Sequence, residues 1–259
     1  PPRVSPFFRT SSISATIAAL VAGWAGALWS VVALSLSCTV AAALVATLPI
    51  PPREPQPRAH RRDHVVRVIA RRPALAAVTT AATISAFAQG SLPIAGALIA
   101  GERHDPALAG LTLSAMAAGS LTGSLLFARF PVRSHRPAVT ALSAVALSAI
   151  PFALLPLAGE RWVLLALFAA AGLLGGPALA LIMVVRDRES PPAVRTQVFT
   201  VSAGLKVTAG AGGVALAGLI TGIGSGTLLA AVAACVVVAA ATGFGLLGRK
   251  GLAPSGQDP

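Results

Sequence analysis

The sequence predicts an all-α integral membrane protein, a bundle of about eight transmembrane helices, and three observations carry that prediction. Hydrophobic types make up 55% of the 259 residues and charged types only 11%, against about 25% charged in an ordinary soluble domain. The chain therefore lacks the residues for a polar shell. All eight acidic residues (Glu54, Asp63, Glu102, Asp105, Glu160, Asp187, Glu189 and Asp258) fall in short breaks between long apolar runs. Runs of about 20 residues suit a helix crossing about 30 Å of hydrocarbon, and in lipid only helices and closed barrels satisfy their own backbone. The sequence shows no alternating pattern of barrel strands, so helices are expected.

Eight spans follow along the chain: A at 7–23, B at 27–48, C at 73–100, D at 107–128, E at 137–158, F at 162–185, G at 197–221 and H at 227–247. Pro73, Pro106 and Pro137 stand close to the starts of C, D and E, where a missing N–H costs little. The breaks are short except at 49–72. This divides the chain into a two-helix part at 1–48, a basic Pro/Arg-rich linker at 49–72, a six-helix part at 73–248 and a tail at 249–259. The Pro-rich first half of the linker is expected to be extended. Residues 63–72 read either as a short basic helix lying on anionic headgroups or as a solvated loop whose charge only fixes topology.

Counting Lys and Arg loop by loop tests this division, because cytoplasmic loops retain positive charge. The start, the B–C, D–E and F–G connections and the end together hold seventeen basic residues, including Arg186, Arg188 and Arg195 between F and G. The opposite connections hold only Arg103 and Arg161, and Lys206 lies inside G. The alternation predicts that both ends of the chain are cytoplasmic in a cell membrane. It also explains the net charge of +12 without nucleic acid, for which there is no tyrosine and no basic face with stacking aromatics.

Other chemistries are disfavoured. Cys38 and Cys235 each lie in an apolar run, and His60, His64, His104 and His135 lie between spans, so no metal or cofactor site and no intramembrane catalytic set is expected. No phosphate-cradling loop of Walker type is present, so energy for any work must come from a gradient or another subunit. Lys206 carries the strongest functional signal, about ten residues and thus about 15 Å into G. A lysine at that depth costs about 2.5–3.5 kcal/mol and is expected to face a watery cavity or a polar partner. Gln89 in C is the second substrate-pathway candidate, and Gly90 and Pro93 beside it suggest a gating hinge. Gly176 and Pro177 mark an expected bend in F, and Pro151 and Pro156 another in E. Gly119 and Gly123 in D, Gly172 and Gly176 in F, and Gly210, Gly213 and Gly218 in G are expected to let backbones approach closely.

Six helices after a long basic cytoplasmic loop, preceded by at least two more, resemble the later two-thirds of a major facilitator superfamily transporter. Spans A and B resemble the fifth and sixth of the usual twelve helices, and C to H the second half. The segment RDRESPPAVRTQVF at 186–199 is similar to the loop before the eleventh helix, and GSLLFAR at 123–129, with Arg133 and Arg136, to the loop signature after the eighth. The resemblance implies a cytoplasmic latch involving Arg129, Arg133, Arg136 and Arg195, although the signature's acidic residue is absent. It also implies inverted three-helix repeats, with a trace in TLSA at 112–115 and TVSA at 200–203. The expected function is secondary active transport, with efflux of a small amphiphilic compound from a bacterium by alternating access and protons as the coupling ion. The missing N-terminal helices, or a partner chain, would be needed for transport. The alternatives are a non-transporting or partner-dependent membrane subunit and, ranked last, a permease subunit driven by a separate ATPase.

Overall fold

The computed structural model describes residues 35–36, 39–40, 43, 62–130, 136–220 and 222–251. Span A lies outside the described residues, and of span B only Ser35, Leu36, Thr39, Val40 and Ala43 are described, all helical. The described residues contain six helical segments long and apolar enough to cross a membrane. These six are C to H of the sequence reading.

Every element is helical. A short helix α1 (Arg62–Arg71) precedes the first membrane span, which is built from α2 (Pro73–Gly90) and α3 (Leu92–Glu102). The others are α4 (Ala107–Arg129), α5 (Pro137–Leu154), α6 (Arg161–Glu189), α7 (Arg195–Leu219) and α8 (Ser225–Gly251). A 3-10 turn at Leu155–Leu157, containing Pro156, ends α5, and another at Pro192–Val194 leads into α7. Pro73 and Pro137 sit in the first turns of α2 and α5, and Arg72 before Pro73 is extended (φ −97°, ψ 107°), as the clash with a following proline ring demands. At the other end of this span His104 closes α3 with φ 52°, while Asp105 N–H donates to the Ala100 carbonyl and His104 N–H to that of Gly101. This is the left-handed helix stop that satisfies two terminal carbonyls.

The six spans repeat. Each start in the second set lies 88 residues after its counterpart in the first: Pro73 and Arg161, Ala107 and Arg195, Pro137 and Ser225. TLSA at 112 and TVSA at 200 keep the same offset, so the four-residue trace falls in register with the helix starts. The packing repeats as well. The main neighbour of α4 is α6 and that of α7 is α2; α5 packs on α6 and α8 on α2; α5 also meets α8. Exchanging the two sets maps this pattern onto itself. Spans three apart run in opposite directions, so the two three-helix units are inverted relative to one another, as in transporters built from inverted repeats.

Small residues decide where backbones meet. A Cβ added to Gly119 would lie 2.0 Å from the Ala169 carbonyl oxygen, and one added to Gly123 would lie 2.1 Å from that of Leu173. From the other side Gly172 meets the Met116 carbonyl and Gly176 that of Ser120. Both contacts advance together along α4 and α6, so these helices run parallel and touch through bare backbone. The α2–α7 crossing is built alike, from Gly90 against Gly210 and from Gly213 against the Phe87 carbonyl. Gly218, expected to share this role, has open space around it.

The core lies between α2, α5, α6 and α8 and is filled by Phe152, Phe168, Leu142, Leu164 and Val236 among others. Elsewhere apolar side chains point outward: Leu147, Ile150 and Leu154 of α5, spaced three and four apart, are exposed and present a lipid-facing stripe. Burial is uneven. Only 22% of the most apolar stretch of α4 and 17% of that of α7 are buried, against 44–50% for the other four spans. These two helices form the uncovered flanks of the bundle.

Candidate functional site

The stripe of α7 that faces the bundle is Val198, Ser202, Lys206, Gly213 and Ala217, positions that recur at helical spacing. Lys206 is half-buried on it, the twelfth of 25 residues and so near mid-membrane. The sequence-level argument that a lysine this deep must face inward is met by its position on the only substantially covered side of α7.

Lys206 lines a cavity of about 700 Å³ between α2, α6 and α7. Ala86, Gln89 and Gly90 contribute from α2, Met183 and Arg186 from α6, and Phe199, Thr200, Ala203, Val207 and Gly210 from α7. The volume lies within the roughly 300–1,000 Å³ of small-molecule sites, and the mixture of apolar walls with a few polar groups is of the same kind. Both substrate-pathway candidates, Lys206 and Gln89, are therefore brought together. The cavity extends from Gln89 and Lys206 at mid-span toward Arg186 and Phe199, near the junction of α6 and α7.

Arg186 corrects the sequence reading. The loop count assigns it to the F–G connection as a topological charge, but α6 continues to Glu189 and Arg186 lies inside it, 2% exposed. Its Nε and Nη2 have no hydrogen-bond partner among the described residues. No hydropathy window could have found it, because it stands one turn inside the helix end at Ser190.

The hinge candidates separate. Pro93 has no N–H to offer the Gln89 carbonyl, and α2 ends at Gly90 before α3 begins at Leu92. Between them the Ser91 hydroxyl donates to the Ala88 carbonyl at 2.7 Å. The loosening expected here is thus an interruption in the span, placed beside the cavity. By contrast α6 runs unbroken through Pro177, and Gly176 is a packing position against Ser120 and Ser124 of α4.

The four arginines of the expected latch occupy different settings. Arg195 Nη1 pairs with Asp187 Oδ1 at 3.1 Å and ties the start of α7 to the end of α6. Arg129 stacks over the neighbouring Phe130 ring at 5.9 Å. Arg136 forms the N-terminal cap position of α5, its carbonyl accepting from Thr140, and Arg133 lies outside the described residues. At the same arginine-rich end Arg72 Nη1 donates to the Glu189 carbonyl at 2.6 Å. Of the two readings of 63–72 the helix forms, as α1, but its Val65 and Ile69 face packs on Leu75 of α2 and on Val194, Val198 and Val201 at and just before the start of α7, leaving Arg67 and Arg71 exposed. It is docked on the bundle, with Arg67 and Arg71 turned away.

At the opposite end the loops are tied to one another. Glu102 accepts from Ser225 N–H at 2.7 Å and from the Ser225 hydroxyl, capping α8. Arg103 donates to the Ala158 carbonyl, and Arg161 pairs with Asp105 at 3.0 Å. The only two basic residues of the opposite connections are therefore both used to join loops.

Six apolar spans arranged as an inverted pair of three-helix units, with a partly polar cavity between α2, α6 and α7, describe a multi-pass membrane protein. The chain matches the family profile described as Major Facilitator Superfamily over residues 10–211. It belongs to that family, and is a membrane transporter whose surroundings are a lipid bilayer and whose cargo is a small molecule. No curated protein matches it, and no solved structure does.

Proposed function

We propose that the protein is a secondary active transporter that exports a small amphiphilic compound across a bacterial inner membrane by alternating access, with protons as the coupling ion. The observation that carries this reading is the cavity between α2, α6 and α7, whose mostly apolar wall carries Lys206, Gln89 and Arg186. It extends toward the arginine-rich end, while Glu102, Arg103, Asp105 and Arg161 hold the other end together. With the arginine-rich end cytoplasmic, this arrangement suits loading from inside the cell. Residues 1–48 then serve as the last two helices of a first half, 49–72 as the central loop and 73–248 as the second half, with both ends of this chain cytoplasmic. Lys206 and Gln89 belong to the substrate pathway, Gly90 and Pro93 to a gate, and Arg195 with Asp187 to a cytoplasmic latch.

The test is accumulation of a panel of neutral, cationic and anionic amphiphilic dyes in cells expressing the intact protein. Lower accumulation of at least one dye than in empty-vector cells, abolished by a protonophore, is the expected result. Equal accumulation of every dye rejects export. The uncovered flanks of α4 and α7 favour one second reading, in which these faces join helices of a partner chain and the protein acts only within that complex. Co-purification of a stoichiometric membrane partner, without which no dye is moved, would select it.

A further inference from the structure

The cavity contains an excess of positive charge for which the described residues provide no counter-charge. Arg186 and Lys206 line it together, and neither takes part in an ion pair among the described residues. The described carboxylates are engaged elsewhere: Glu102 with Ser225, Asp105 with Arg161, Asp187 with Arg195 and Glu189 with Arg72. Glu160 precedes α6 at the opposite end, a full helix length from Arg186. Residues 1–53 contain no acidic side chain at all. A buried cation of this kind is retained at a cost unless something pairs with it.

The geometry of the orphaned donors narrows what that partner is. Nε and Nη2 flank one edge of the planar guanidinium, and their N–H bonds are near-parallel. That edge is the fork that grips the two oxygens of a carboxylate. Apart from Gln89 and Thr200, the remaining side chains, Ala86, Met183, Phe199, Ala203 and Val207, are apolar and suit a hydrocarbon or aromatic body. The repeat supplies an internal control: at the 88-residue offset Arg186 corresponds to Leu98 and Lys206 to Ala118. The scaffold therefore does not need a cation at either position.

We propose that Arg186 and Lys206 form an anion-binding subsite, and that the compound carried is an amphiphilic organic carboxylate. Its carboxylate engages the Nε and Nη2 edge of Arg186, which is covered in this structure and is uncovered when the ligand enters, Lys206 supplies the second positive charge from mid-span, and the apolar body lies along Met183, Phe199 and Val207. The subsite stands on the cavity alone; the statement about cargo rests on the transport reading above.

The experiment is binding of 1-naphthoate and of its neutral isostere 1-naphthamide to the intact protein in lipid nanodiscs, by calorimetry and by the ligand-induced shift in unfolding midpoint. Naphthoate is expected to bind and to raise the midpoint, and naphthamide to bind at least about tenfold more weakly, since hydrogen bonds to charged groups distinguish the two. Arg186→Gln and Lys206→Gln are each expected to weaken naphthoate about tenfold to a hundredfold and to leave naphthamide unchanged. Arg186→Lys should restore only part of the loss, because ammonium lacks the fork. If Arg186→Gln does not fold, Lys206→Gln carries the test, since removal of a deep lysine does not threaten insertion. Equal affinity for acid and amide, no binding of naphthoate, or naphthoate binding unaffected by the variants that fold, overturns the subsite. Binding as expected with no movement of naphthoate or of any dye in cells keeps the subsite and removes the transport reading.

Discussion

Two corners of the bundle are built on the same plan and have different contents. At the α4–α6 corner Gly119, Gly123, Gly172 and Gly176 bring two helices into backbone contact, and nothing charged lies at the positions equivalent to the cavity cations. At the α2–α7 corner Gly90 and Gly213 make the corresponding approach, yet beside it the packing opens into a cavity holding Arg186, Lys206 and Gln89. The repeat fixes helix starts and neighbours. The polar groups of the site have no counterpart in the other unit: Leu98 stands at the position of Arg186, Ala118 at that of Lys206, and Pro177 at that of Gln89.

The sharpest way to break the comparison is to move the charge. Ala118 is exposed, the twelfth of 23 residues in α4, as Lys206 is the twelfth in α7. Ala118→Lys places an ammonium at the same depth without a cavity to face, at an expected cost of about 2.5–3.5 kcal/mol. Membrane-inserted yield and denaturant unfolding in detergent measure it. Lys206→Leu should not lower stability by either measure. A gain for Lys206→Leu as large as the loss for Ala118→Lys would mean that depth alone, and not the cavity, sets the cost.

Next in size are the glycines. Gly172→Ala puts a Cβ 1.9 Å from the Met116 carbonyl oxygen, and Gly213→Ala puts one 1.9 Å from that of Phe87. Backbone cannot move aside as a side-chain tip can, so each should cost about 1–3 kcal/mol of unfolding free energy. Gly175→Ala and Gly218→Ala, with open space around them, should be neutral or stabilising by up to about 1 kcal/mol through helix propensity. Equal effects at the two corners would confirm that the scaffold is shared. A much smaller effect at Gly213 would show that the cavity-bearing corner is the looser one.

The fold was legible because its signals are long and redundant: charge-free runs of about 20 residues need no detail to be read as spans, and all six described spans overlap those expected from composition. The interruption at Ser91 was half legible, since Gly90 and Pro93 announce weakness without saying that the helix stops. Lys206 was legible because a lone charge in an apolar run has one physical explanation. Arg186 was not, because it stands within one turn of a helix end among Asp187, Arg188 and Glu189. Hydropathy cannot distinguish there a buried arginine from a topological one. Nor could sequence show that α1 rests its Val65 face on α7, since a basic amphipathic helix suits a headgroup layer equally well.

The smaller effects lie at the two ends of the α2–α6 pair, which the inverted repeat ties in related ways. At one end Arg161, opening α6, meets Asp105 just beyond α3; at the other Arg72, just ahead of α2, meets Glu189 closing α6. The end held by Arg161 should be the stronger. Glu102→Gln loses a charged acceptor that caps α8 through Ser225, worth about 0.5–2 kcal/mol as a cap.

Asp105→Asn removes a 3.0 Å ion pair and weakens the acceptor for Ala107 N–H at the start of α4. Glu189→Gln removes only a 3.9 Å pairing, because Arg72 keeps its 2.6 Å bond to the Glu189 carbonyl. These charges are partly exposed, so the pairings themselves should be worth about 0–1 kcal/mol. Asp105→Asn should cost measurably more than Glu189→Gln, and the gap should narrow in high salt as screening weakens the exposed ion pair. What survives at high salt is the helix-capping part of Asp105, read as the residual difference in unfolding midpoint. If Glu189→Gln proved the costlier, the arginine-rich end would be the more tightly held of the two.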